Sequence, residues 1–286
     1  MLSLAALGVL IGASDAWAWG PATHTRLAAD LLGNLALLPA TIAAILGKHA
    51  SSYVFGNIAA DVVFAKRMSR IKQFCHHWAT GFRFYDSAQN DCDRAFALGY
   101  LSHLAADTVA HGKYVPRQLS VTRTTLNFGH VYWEMRADAF VDHATWKTLE
   151  AVMAADHEHH HRALADELTA TLLPYHFNRR LFDRINRTVV RRYWRKCMGA
   201  WHQCSRWDLC HLLVEQYRTE SIARMRSLLT DLHGSPVLKE DPNGTAALHE
   251  ARLHRRHVRH LRRRGLPTAH HSKEVTASLA PRRPAR

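Results

Sequence analysis

Apolar residues return at helical spacing through most of the chain. Between Thr23 and Leu38 the positions Leu27, Ala28, Leu31, Leu32 and Leu35 recur every three or four residues, which predicts a first helix. Pro39 separates it from a second, Ala40–Leu46. Gly56 reads as a turn leading into a segment that presents Asp61. Arg94–His111 is the most helix-like stretch. Gly112 and Pro116 follow it as stop signals, so Val115–Asn127 reads as a loop. Another helix is predicted from Gly129 to about His143, and helical period continues through Ala144–Leu173 and Phe182–Leu232. The stretch Ser235-Pro-Val-Leu-Lys-Glu-Asp-Pro-Asn-Gly244 has the composition of a boundary, and no internal repeat recurs at a fixed period. The expected fold class is all-α: a single multi-helix domain over residues 19–235, then 236–286 as linker and basic, disordered tail.

Composition agrees with helices. Of 286 residues 47% are hydrophobic, and only 14 are Gly and 9 Pro, too few for a chain of short strands and tight turns. The first residues change the cellular setting. An apolar run from Leu4 to Ile11 is followed by Ala16-Trp17-Ala18, the small-x-small form cut by signal peptidase. Residues 1–18 therefore read as a signal peptide, the mature chain as starting at Trp19, and the protein as exported to a periplasm or the exterior. No other uncharged run is long enough to span a bilayer. Five cysteines would meet an oxidising compartment there, and their pairing is not legible. The net charge of +14 points to an anionic partner, but residues 249–286 hold nine of those charges, with ten Arg and one Lys against Glu250 and Glu274. That tail reads as a solvated charge block, or as a helix meeting anionic lipid at a membrane surface or nucleic acid.

Within Gly99-Tyr-Leu-Ser-His-Leu-Ala-Ala-Asp-Thr-Val-Ala-His-Gly112, an otherwise apolar segment carries His103, Asp107 and His111 at intervals of four. On a helix they form one slowly spiralling stripe. Burying them without partners would cost several kcal/mol, about what metal ions or hydrogen bonds must offset. On spacing alone a solvated polar stripe with Asp107 between two histidines fits equally. The neighbours weigh the other way: His130-Val-Tyr-Trp-Glu134 repeats the spacing with a second carboxylate, and Asp61, the pair His76-His77 and His24 lie upstream. Imidazole nitrogen and carboxylate oxygen without a required thiolate suit zinc used for hydrolysis.

In this order, Trp19-Gly-Pro-Ala-Thr-His24, Gly56-Asn-Ile-Ala-Ala-Asp61, His76-His-Trp78, the segment around Asp107 and His130–Glu134 resemble the zinc-dependent phospholipase C family, which is related to zinc-dependent single-strand nucleases. The resemblance spans roughly Trp19 to Asp142. It implies an all-helical domain with three zinc ions. The α-amine and carbonyl of Trp19 with His24 and a shared Asp107 would hold one; Asp61, His76, His103 and Asp107 a second; His111, His130 and Glu134 the third. His77 is the alternative to His76. The Trp19 amine exists only once residues 1–18 are removed, which ties export to activity. The implied reaction is attack of metal-activated hydroxide on the phosphorus of a phospholipid, with Asp61 as the catalytic residue that orients or deprotonates the water. The metal ligands alone do not separate this phosphodiesterase from a single-strand nuclease, or from a non-catalytic protein with structural zinc. The runs Asp156-His-Glu-His-His-His161 and Tyr193-Trp194 read as a solvated helix face and as core or interface aromatics.

Overall fold

The computed structural model describes residues 19–62, 74–121, 126–168, 174–189, 205 and 207–266. Residues 1–18, read above as a signal peptide, and Tyr193-Trp194, Cys197 and Cys204 lie outside them. Within the described residues there is no strand, and the helices are α1 (Pro21–Leu32), α2 (Ala40–Lys48), α3 (Ala50–Ala59), α4 (Trp78–Asp86), α5 (Asp91–Val109), α6 (Val115–Val121), α7 (Leu126–Asp138), α8 (His143–Ala154), α9 (Glu158–Glu167), α10 (Tyr175–Val189), α11 (His211–Asp231) and α12 (Thr245–Arg263). The all-α expectation holds.

The helix α5 runs through the middle. From Ala95 to Val109 every residue is buried, so small and apolar side chains occupy the whole circumference rather than one stripe. Asn90 starts it by accepting a hydrogen bond from Asp93 N at 3.0 Å. The helices α3, α4 and α11 pack around it, and α3 makes the most extensive contact. Two glycines make that contact possible. A Cβ on Gly56 would lie 2.1 Å from Phe96 O, and one on Gly99 would lie 2.1 Å from Tyr53 O. Gly56 is therefore not the expected turn; it sits inside α3, where the absence of a side chain lets two backbones touch.

A tertiary carboxylate closes the N-terminus of α1. Its N-cap is Gly20, which has no side chain to offer, and Pro21 follows as the first helical residue. From α7, Asp138 accepts hydrogen bonds from Thr23 N at 2.9 Å, Thr23 Oγ1 at 2.6 Å and Ala22 N at 3.3 Å. A Cβ at Gly20 would fall 2.2 Å from Asp138 Oδ2, so the cap requires glycine there. The helix α11 completes the seat: Arg218 Nη2 donates to Ala137 O at 3.0 Å, and Trp19 Nε1 donates to Ser221 Oγ at 3.2 Å.

Several boundaries differ from expectation. α1 ends at Leu32 because Gly33 caps it, and a 3-10 turn at Leu35–Leu37 follows. The stop signals after His111 do not stop the chain. A π-helical turn, Ala110–Tyr114, widens the helix around Gly112, and the chain continues into α6. Pro116 lacks an N–H, and the widened turn absorbs the missing bond. The helical run after Ala144 breaks between α8 and α9 at residues 155–157. Residues 236–263, expected as linker and disordered tail, contain a 3-10 turn at Pro236–Lys239 and the whole of α12. Leu248 and Ala251 are buried on α12, which packs against α6 and the π turn. Apolar residues spaced three apart gave that segment a face to bury despite its charge.

Candidate metal centre

His103 and Asp107 lie one turn apart on α5, fully buried, with His103 Nε2 3.2 Å from Asp107 Oδ2. On the other side His103 Nδ1 donates to Asn57 O of α3 at 2.7 Å. A carbonyl only accepts, so the proton sits on Nδ1 and the lone pair of Nε2 faces inward. Four groups converge there. His76 Nε2 is 3.2 Å from His103 Nε2, 3.3 Å from Asp107 Oδ2 and 3.4 Å from Asp61 Oδ1. Asp61 Oδ2 lies 4.0 Å from His103 Nε2. Donors held about 2.0–2.1 Å from one zinc ion at tetrahedral angles stand roughly 3.3 Å apart. The His76, His103 and Asp107 atoms have that spacing, and Asp61 adds one oxygen 3.4 Å from His76 and another 4.0 Å from His103.

The second oxygen of Asp107 looks the other way. Asp107 Oδ1 is 3.3 Å from His24 Nε2, contributed by α1, whose ring stacks on His103 with centroids 3.9 Å apart. His24 is fully buried, and neither ring nitrogen makes a well-formed hydrogen bond. Two imidazole nitrogens and both Asp107 oxygens in that condition are what a cation satisfies and an apolar core does not. Burial, followed by the adjacent His103, holds His24 below its ordinary value, which favours the neutral form that ligates. Burial pushes the Asp107 carboxyl up, but His103, then His24 and His76, outweigh it and hold the group well below the ordinary carboxylate range. Asp107 is thus an anion with histidines on both sides.

A third group lies further along. The π turn carries His111, whose Nδ1 donates to Pro242 O at 2.6 Å and stands 3.8 Å from Asp107 Oδ2. Its ring meets that of His130 edge-on, centroids 5.1 Å apart, and His130 Nε2 is 3.0 Å from Glu134 Oε1 one turn on in α7. Trp19 precedes α1 with its indole fully buried and stacked on Tyr114 of the π turn at 4.7 Å. Between the two candidate histidines at the start of α4, His76 is buried in the centre and His77 is exposed. The structure therefore brings His24, Asp61, His76, His103 and Asp107 into one cluster, sets His111, His130 and Glu134 beside it, and fixes the side chain of Trp19 close by.

Residues beyond the sequence motifs hold these groups. The loop before α12 reaches into the centre: Asn243 Nδ2 donates to His76 O at 3.1 Å, while Trp78 Nε1 donates to Glu240 O at 3.0 Å. Gly244 has a φ of +57°, and a Cβ on it would lie 2.2 Å from His111 O. Asp241 anchors the loop by accepting from Asn243 N and Thr245 N, each at 2.8 Å. Nothing in the order of residues 236–244 announces this. Only the turn composition, with two prolines and a glycine, marked the stretch at all.

A family model described as zinc dependent phospholipase C matches residues 23–188, which include every candidate ligand except Trp19 and exclude the Asp241–Gly244 loop. No curated protein and no solved structure matches the chain.

Proposed function

The chain belongs to the zinc-dependent phospholipase C family, and from that premise we propose that it is an exported phosphodiesterase that hydrolyses phospholipids. The carrying observation is Asp107. One oxygen lies 3.3 Å from His24, and the other lies within 3.3 Å of both His76 and His103, the arrangement of a carboxylate shared by two cations. Trp19 through its main-chain nitrogen and carbonyl, with His24 and Asp107, would hold one zinc ion. Asp61, His76, His103 and Asp107 would hold the second, and His111, His130 and Glu134 the third. Zinc at such a centre lowers the pKa of water to about 7 and stabilises charge that develops on phosphoryl oxygens.

The protein's own groups do the rest. Asp61, buried against His76 and His103, orients the attacking water and accepts its proton as oxygen bonds to phosphorus. The bond from phosphorus to the glycerol oxygen breaks, that oxygen takes up the proton given back by Asp61, directly or through solvent, and diacylglycerol and the phosphorylated head group are released. His103 and His111 keep their protons on Nδ1, where Asn57 O and Pro242 O accept them, so the Nε2 atoms stay fixed as ligands throughout. Trp19, Tyr114 and Trp133 are fully buried, with Trp19 stacked on Tyr114 and Tyr114 Oη donating to Trp133 O at 2.8 Å, so water is excluded from around the Trp19 side chain.

The test is to express the chain with residues 1–18, sequence the purified N-terminus, count bound zinc, and compare hydrolysis of short-chain phosphatidylcholine with that of single-stranded DNA. A Trp19 terminus, at least three zinc ions and lipid cleavage abolished by chelation are expected. Asp107→Asn should lose at least about 100-fold in kcat/KM, beyond what loss of a supporting hydrogen bond gives. Cleavage of DNA without lipid makes the protein a nuclease; less than one zinc per chain and indifference to chelators overturn the proposal.

A further inference from the structure

The histidine-rich start of α9 divides into two roles. His157 stacks flat on Phe55, centroids 4.0 Å apart, and its Nε2 bonds Val152 O at 3.0 Å; His161 Nδ1 meets Tyr175 Oη at 2.8 Å. Those two belong to the packing between helices. His159 and His160 face something else. Across from them stands Asp93, in the first turn of α5, and the ligand atoms of Asp93, His159 and His160 all lie within 4.8 Å of one another. The sequence alone offered no distant carboxylate for this histidine run; the fold supplies one.

We propose that Asp93, His159 and His160 form a further metal site for a divalent transition ion such as zinc, separate from the centre at Asp107. The donor set is two imidazoles and one carboxylate, three protein ligands with a remaining position open to solvent. Each donor is held in place. Asp93 Oδ2 accepts from Gln89 N at 3.2 Å and Asn90 Nδ2 at 3.0 Å, which turns Oδ1 toward His159, its ion-pair partner. His160 is 3% exposed and lies flat on Phe96, centroids 4.5 Å apart. Ser52 Oγ and Cys92 Sγ close its inner side, 3.1 and 3.8 Å from Nε2. His159 has 57% of its side chain exposed, which gives an ion its way in.

The site clips α9 to the N-terminus of α5. Asp93 precedes His103 by ten residues on the same helix, about 15 Å along its axis, so no ion is common to both centres. The ion is structural: it fastens the outer end of the helix whose inner end carries the catalytic ligands.

The experiment uses the full chain and zinc itself as probe. Wild type, His159→Ala and Asp93→Asn are stripped with chelator and reloaded, bound zinc is counted, and the melting temperature is followed with added zinc. The exposed His159 leaves folding intact when replaced, and Asn at position 93 keeps an acceptor for Gln89 N. Expected are one zinc ion fewer per chain in both variants, a smaller zinc-induced rise in Tm, and unchanged hydrolysis of soluble substrate. Equal zinc counts and equal Tm rises in all three proteins overturn the proposal. Because these readouts are stoichiometry and stability, they stand apart from whichever phosphodiester the Asp107 centre cleaves.

Discussion

Asp138 shows how much one side chain outside the ligand set contributes to the centre. Its carboxylate accepts three hydrogen bonds from the start of α1, the helix that presents His24, yet burial pushes it from 3.8 up to about 6 despite Thr23's bonds. A folded value above the unfolded one means the protonated form stabilises the native state. That contribution is fully present below about pH 4 and is lost as pH rises through about 6, a change on the order of 3 kcal/mol. Asp138→Asn keeps an acceptor and cannot ionise, so its urea midpoint should vary less between pH 4 and 7 than that of wild type. Parallel curves would refute the assignment. Residues of this kind were not legible in the sequence, whereas the candidate ligands could be named from it. His103, Asp107, His130 and Glu134 declare themselves by type and by spacing on their own helix. Asp138, Asn57 and Asn243 act on partners far away in sequence, and no local pattern encodes that. The choice between His76 and His77 needed burial, which only the fold supplies.

Among elements, helix type was legible and helix punctuation was not. Glycine and proline are ambiguous signals: Gly33 ends α1 as they suggest, but Gly56 serves a helix crossing, and Gly112 with Pro116 makes a π turn instead of a stop. That turn matters because it carries His111 and is met by the Asp241–Gly244 loop. Replacing Gly244 with Ala forces a side chain against His111 O at a φ of +57°. Gly244→Ala should weaken zinc binding by about 10–100-fold, as loss of outer support does in metal sites. Asn243→Ala should do so by removing the bond to His76 O, while Asn243→Asp, lacking the donor, should not rescue it. Titration of the metal-free proteins with zinc measures both. Unchanged affinity in both variants would show that the loop is a bystander.

At the scale of the whole molecule, charge is segregated from chemistry. The centre is buried and rich in carboxylates, while the net +14 is concentrated toward the C-terminal end. On α12, Arg256, Arg259 and Arg263 are exposed, with Leu253 and Leu266 each about half exposed among them. Cations flanking apolar side chains are the pattern of a helix that rests on an anionic bilayer. The expected outcome is binding to phosphatidylglycerol-containing vesicles at roughly 0.02 M salt that falls away by about 0.3 M, against little binding to phosphatidylcholine alone; sedimentation with vesicles reads it. Salt-insensitive binding would rule out the electrostatic part. The segment was legible as basic but not as folded, because its charge concealed the short apolar face formed by Leu248 and Ala251.

His24 comes from the first described helix, and Pro242, Asn243 and Gly244 precede the last. The centre is therefore assembled by segments far apart in the chain, the earlier translated long before the later. Pro242 O accepts from His111 and Asn243 donates to His76 O, so a nascent or prematurely ended chain that lacks this loop holds both histidines without that support. For a hydrolase whose proposed substrate is the material of membranes, this chain order delays activity until the Pro242–Gly244 loop has been made.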